Sequence, residues 1–108
     1  MTAHTDRELL ELAAKAVGLE YHIDTLDGCE KLVSNGAIWN PLTDDGDALR
    51  LAVKLKIPLQ FPDWTNITRT WGSKSNPDAF DEPHADEPYA ATRRAIVRAA
   101  AEIGKAKP

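Results

Sequence analysis

Residues 37–55 compress a strand end, a turn and a helix start into one short tract, and this constrains the fold more than any other feature. Ile38 and Trp39 suit a half-buried strand, and Asn40-Pro41 stops it, because proline has no N–H to give a ladder. Thr43 offers a side-chain oxygen to the free N–H groups of a helix start, and Asp44, Asp45 and Asp47 suit the positive end of its dipole. The tract therefore predicts a helix over residues 44–55. Leu49, Ala52, Val53 and Lys56 line one side, and Leu51 and Leu55 widen the stripe. That aliphatic excess predicts burial against both a sheet and a neighbour. Pro58 ends the helix.

The flanking segments supply the rest of a small domain. A first helix is predicted over residues 6–17, with Thr5 and Glu8 as a capping box and Gly18 as a left-handed exit. Leu9, Leu12, Ala13, Ala16 and Val17 form its apolar stripe, and Glu11 pairs with Lys15 on the solvent side. Residues 19–23 and 31–33 read as strands around an Asp27-Gly28 turn. Asn35-Gly36 is either a second tight turn or a loop. Residues 59–61 and 67–71 read as two further strands, joined through 62–66. The last helix starts at Pro88, closes at Gly104 and buries Ile96, Ala99, Ala100 and Ile103. The expectation is one α+β domain: three helices packed on a small, mostly antiparallel sheet, in the order α-β-β-α-β-β-α, sandwich-like. Residues 73–87 are acidic, proline-broken and almost free of aliphatic side chains, which predicts a mobile loop.

Composition narrows the function classes. With 108 residues the chain has room for one modest core. A net charge of −4 argues against general affinity for nucleic acid or an anionic membrane. The single cysteine, Cys29, excludes an internal disulfide and fits a reducing cytosol. No apolar run is long enough to span a bilayer, and the polar start is not a signal peptide. The expected location is the cytoplasm of a bacterial host.

The tract WNPLTDDGDALRLAVKL, residues 39–55, resembles small uncharacterised proteins of tailed bacteriophages and prophages. The ending DEPYAATRRAIVRAAAEIG, residues 86–104, has the same look. Together they are similar to the phage ABA-sandwich domain group, which implies α/β/α layering and no assigned reaction. The resemblance carries over no catalytic residue. It covers most of the chain after Gly18, and residues 73–87 depart from the shorter strand-to-helix link it implies.

Each candidate for chemistry has a plainer counterpart. Asp44, Asp45 and Asp47 resemble oxygen ligands for a hard cation, but helix starts attract acids for dipole reasons alone. Asp81, Glu82, His84 and Asp86 supply only one imidazole, too few fixed nitrogen ligands for a transition metal. Cys29 with His22 has no orienting third group, and the acids Asp27 and Glu30 disfavour a thiolate. Arg93, Arg94 and Arg98 are candidates for phosphate or another anion. They equally suit solvation of the helix, or a latch in which the acidic segment folds onto them. Trp39 and Trp71 read as core. Trp64, in a proline-flanked loop, reads as an aromatic anchor for a partner.

The sequence therefore points to a non-catalytic phage or prophage accessory protein that binds a host or phage protein, for example by inhibiting a host defence system. Its predicted contact points are Trp64, Asp78, Phe80, Asp81, Glu82 and Asp86. No metal, cofactor, nucleic-acid or membrane partner is expected, and a homo-oligomer is compatible with the pattern. A nucleotide-sequestering oligomer using Arg93, Arg94 or Arg98 is the second reading. A metal-dependent enzyme is the third.

Overall fold

The computed structural model describes residues 5–63, 65–73 and 76–108, with side chains described at all of these except 72–73 and 76–78. Three helices alternate with antiparallel strands: α1 (Asp6–Val17), β1 (His22–Leu26), β2 (Cys29–Ser34), β3 (Ala37–Ile38), α2 (Asp45–Leu55), β4 (Leu59–Gln60), β5 (Ile67–Ser73), β6 (Asn76–Pro83) and α3 (Pro88–Ala106). The class is α+β, and the strands divide into two three-stranded meanders, β1-β2-β3 and β4-β5-β6. Among the described residues, no helix is long and apolar enough to cross a membrane.

Local chemistry explains most boundaries. The Thr5–Glu8 capping box forms with both of its bonds, and Gly18 takes φ 68° at the exit of α1. Asp27-Gly28 and Asn35-Gly36 are both two-residue hairpin turns, each with φ of 52° then 78°, so Leu26 faces Cys29 and Ser34 faces Ala37. Positive φ at both positions matches the twist of the flanking strands, and Asp, Asn and Gly tolerate it best. The cap of α2 is Asp44 rather than Thr43: the Asp44 carboxylate accepts from the Asp47 N–H. Thr43 is taken up by the preceding turn, where its N–H and that of Asp44 both bond the Asn40 carbonyl.

α3 is the central element, touching α1, α2, β5 and β6. Ala95, Val97, Ala99 and Ala100 on it are wholly buried. The helix runs past Gly104 to Ala106, so that glycine is buried within it and does not close it. α1 is covered on two sides, which is why Leu10 and Ala14 are buried along with Leu9, Ala13 and Ala16. One side meets α3; Leu10 and Ala14 meet Leu32 of β2. Contact thus runs from sheet β4-β5-β6 through α3 and α1 to sheet β1-β2-β3, whereas the resemblance implies a sheet between helix layers. Glu11 does not pair with Lys15: it meets Arg7 at 3.9 Å and accepts from the Tyr21 hydroxyl, while Lys15 donates to the Lys107 carbonyl.

The segment read as a mobile acidic loop, residues 73–87, contains strand β6. Its acids are what hold it. Asp81 lies directly across from Arg69 on β5, bonded through two nitrogens at 2.7 and 3.0 Å. Glu82 points to the opposite face and accepts from Arg98 of α3 at 2.5 Å. The Arg98 guanidinium also lies 5.6 Å from the Phe80 ring centre, a cation–π distance. Alternating acids thus meet cations on both faces, replacing the aliphatic burial that the composition lacks.

Candidate functional site

The first site to consider is where α2, β4 and the start of α3 meet. Ala48 and Leu51 of α2 pack into the core, leaving Leu49 and Val53 on the outer side, 61% and 67% exposed. The sequence pattern placed both in the buried stripe. The packed stripe is instead Ala48, Leu51, Ala52 and part of Leu55, because α2 turns its small residues toward the core that it shares with α3. Phe61, just past β4, is 57% exposed, and Tyr89 in the first turn of α3 is 71% exposed. Leu49, Phe61 and Tyr89 border an open cavity of about 510 Å³ that is also lined by the buried Ala48 and Ile96, the half-buried Leu59 and the exposed Pro88.

Polar side chains reach this cavity from fixed positions. Arg93 donates through Nε to the Leu42 carbonyl at 2.8 Å and through Nη1 to Asp45 at 2.6 Å. Its side chain is only 18% exposed, whereas that of Asp45 is 76% exposed. His84 is fixed by its backbone: its N–H donates to the Asn66 carbonyl, and its carbonyl accepts from Glu87. Its Nε2 lies 2.8 Å from the Thr68 hydroxyl, which lies 2.8 Å from the Thr92 hydroxyl.

The direction of that chain follows from its end. Thr92 donates to the Pro88 carbonyl at 2.8 Å, which spends its single proton. Thr68 must then donate to Thr92, and His84 must donate through Nε2–H to Thr68. A hydroxyl nucleophile needs the reverse, a histidine nitrogen that accepts its proton. This pair is therefore set against nucleophile activation. Thr68 is wholly buried, as is Thr70, whose hydroxyl donates to the Ala95 carbonyl, so β5 bonds α3 through a polar seam.

The other predicted residues do not converge. Trp64 and the Asp78 side chain lie outside the described residues. Phe80 is half-buried beneath Arg98, Asp81 and Glu82 are ion-paired within the fold, and Asp86 is exposed in the turn before α3. Arg93, Arg94 and Arg98 are directed to three carboxylates, Asp45, Asp6 and Glu82, so they make no common anion cradle. The latch alternative is realised at Arg98–Glu82. Asp44 caps α2, and Asp47 accepts from the Asn40 N–H and from Arg50. Among the described residues, no group of His, Cys, Asp and Glu side chains is arranged to hold a metal ion. Cys29 is exposed at a hairpin end, and His22 meets Asp24 at 3.9 Å. Trp39 is partly buried and joins both core clusters; Trp71 is partly buried opposite Ala79.

Sequence reasoning missed the cavity, although a signal was present: α2 carries more large aliphatic residues than one buried stripe can use. Comparisons with protein-family models, curated proteins and solved structures return no match for this chain.

Proposed function

We propose that this chain is a non-catalytic accessory protein of a phage or prophage that acts by binding a host or phage protein, and that its docking face is the groove between α2 and α3. The observation that carries this reading is the grouping of Leu49, Phe61 and Tyr89, each more than half exposed, around one apolar cavity. Large apolar side chains that gather on a surface mark interaction sites, and aromatic residues dominate their energetics. The phage context rests on the likeness of residues 39–55 and 86–104 to small phage proteins. The acidic residues of β6 contribute less than the sequence suggested, since Asp81 and Glu82 are neutralised by Arg69 and Arg98.

The test is affinity capture from host lysate with the wild-type chain and a Leu49→Glu, Tyr89→Glu variant as baits. Both positions are exposed, so the variant is expected to fold, as checked by circular dichroism. A protein held by the wild type and lost from the variant supports the reading. An identical set held by both contradicts it.

A further inference from the structure

The cavity carries more chemistry than an apolar docking face requires. We propose that it is also a binding site for a small amphipathic carboxylate: an apolar ring or chain bearing one carboxylate, whose charge is read by Arg93. This goes beyond the protein-docking reading and is tested without any partner.

The size and walls suit the apolar part. A cavity of about 510 Å³ lined by Leu49, Leu59, Phe61 and Ile96 falls in the range of roughly 300–1,000 Å³ usual for small-molecule sites, which combine apolar walls with a few fixed polar groups. The polar groups choose the charge. The charged side chains on the wall are Arg93 and Asp45, and of the two it is the Arg93 cation that is covered by the fold while the Asp45 carboxylate is 76% exposed, which favours an anion at the covered end. The guanidinium plane is held by the bond from Nε to the Leu42 carbonyl, while its counter-ion Asp45 stands largely in water. A well-covered arginine with an exposed counter-ion has an exchangeable partner. A ligand carboxylate takes the place of Asp45 on Nη1, and Asp45 turns to solvent, where it still complements the positive end of α2. One available arginine fits one carboxylate better than a polyphosphate, because Arg94 and Arg98 are engaged with Asp6 and Glu82.

This mechanism predicts opposite signs for the two sides of the pair. The experiment is a ¹H–¹⁵N NMR titration with 4-phenylbutyrate and its uncharged analogue 4-phenylbutyramide, on the wild type, Asp45→Asn and Arg93→Gln. In the wild type, the acid is expected to bind about fivefold or more tighter than the amide, the scale of a partly exposed charge-assisted bond. Asp45→Asn is expected to tighten the acid and leave the amide unchanged, since a competitor has gone. Arg93→Gln is expected to abolish the preference. Equal affinity for acid and amide in the wild type overturns the proposal, as does weaker acid binding in Asp45→Asn, or no shift of groove resonances at millimolar probe. Should Arg93→Gln fail to fold, the Asp45→Asn arm still decides. None of these results alters the capture experiment, so failure here and failure of the docking reading are separable.

Discussion

A Cβ built on Gly104 of α3 would stand 2.0 Å from the Leu12 carbonyl oxygen of α1. The two backbones meet where no other residue fits, and the neighbouring core is correspondingly rich in alanine, with Ala13, Ala99, Ala100 and Ala101 all buried. Gly104→Ala must push the helices apart, because the obstacle is backbone. The expected cost is about 1–3 kcal/mol, the usual range for overpacking, read as a lower midpoint in urea unfolding. Gly46→Ala is the milder contrast: its Cβ would meet side chains rather than backbone, the Arg50 guanidinium and the capping Asp44 carboxylate at 3.2 Å, so the helix preference of alanine and the crowding of the cap oppose each other and the net change is expected to stay within about 1 kcal/mol.

Arg98 ties β6 to α3 through Glu82 and Phe80. In a double-mutant cycle, Arg98→Ala and Glu82→Ala are expected to be less costly together than the sum of the two, with a coupling of about 0.5–1 kcal/mol. Additive effects would show that the pair holds nothing. Hydrogen exchange should rise in β6 before it rises in α3 in either single variant.

The Arg69 guanidinium, bonded to Asp81, holds that carboxyl below the usual aspartate range. A folded-state pKa below the unfolded value means stabilisation that is complete above the unfolded pKa and is lost as pH falls through the folded one. Asp81→Asn should therefore be less stable than wild type at neutral pH, and the gap should narrow as the solution is acidified below about pH 4. A gap independent of pH would contradict the pairing. Tyr21 behaves in the opposite sense. Burial and the nearby Glu11 raise its pKa, so its contribution is present below pH 10 and fades above it.

The donor chain from His84 to Pro88 predicts a tautomer. Neutral His84 should carry its proton on Nε2, as read from imidazole ¹⁵N shifts. Thr68→Val removes the acceptor of that N–H and the donor to Thr92; because His84 is only partly buried and water can reach its ring, the expected cost is about 1 kcal/mol. An Nδ1–H tautomer would overturn the assigned direction.

Much of this was legible in the residues, and the misses share a cause. Thr5, Glu8, Gly18 and Asp27-Gly28 act through bonds within a few positions, so their roles could be read from local chemistry alone, whereas Asn35-Gly36 stays open between turn and loop until the pairing of Ser34 with Ala37 decides it. Residues 76–83 form a strand where their composition predicts part of a mobile loop, because their pairing depends on Arg69 and Arg98, cations supplied by other elements. β5 misleads for a similar reason: hydrophobicity favours burying Ile67 and Trp71, yet Thr68 and Thr70 face α3, whose Thr92 hydroxyl and Ala95 carbonyl receive their hydroxyls. Leu49 and Val53 were placed inside because a helical pattern shows how wide the apolar face is, but not how much of it a neighbour covers.

The proposed mode of action is the binding of a partner on the α2–α3 groove. The most direct measurement is amide hydrogen exchange of the chain with and without the protein it retains from host lysate. Docking on the groove should give new protection in residues 45–53, 59–61 and 88–96, absent from the Leu49→Glu, Tyr89→Glu variant. Protection confined to the β1–β3 sheet or to β6, with the groove unchanged, would contradict it.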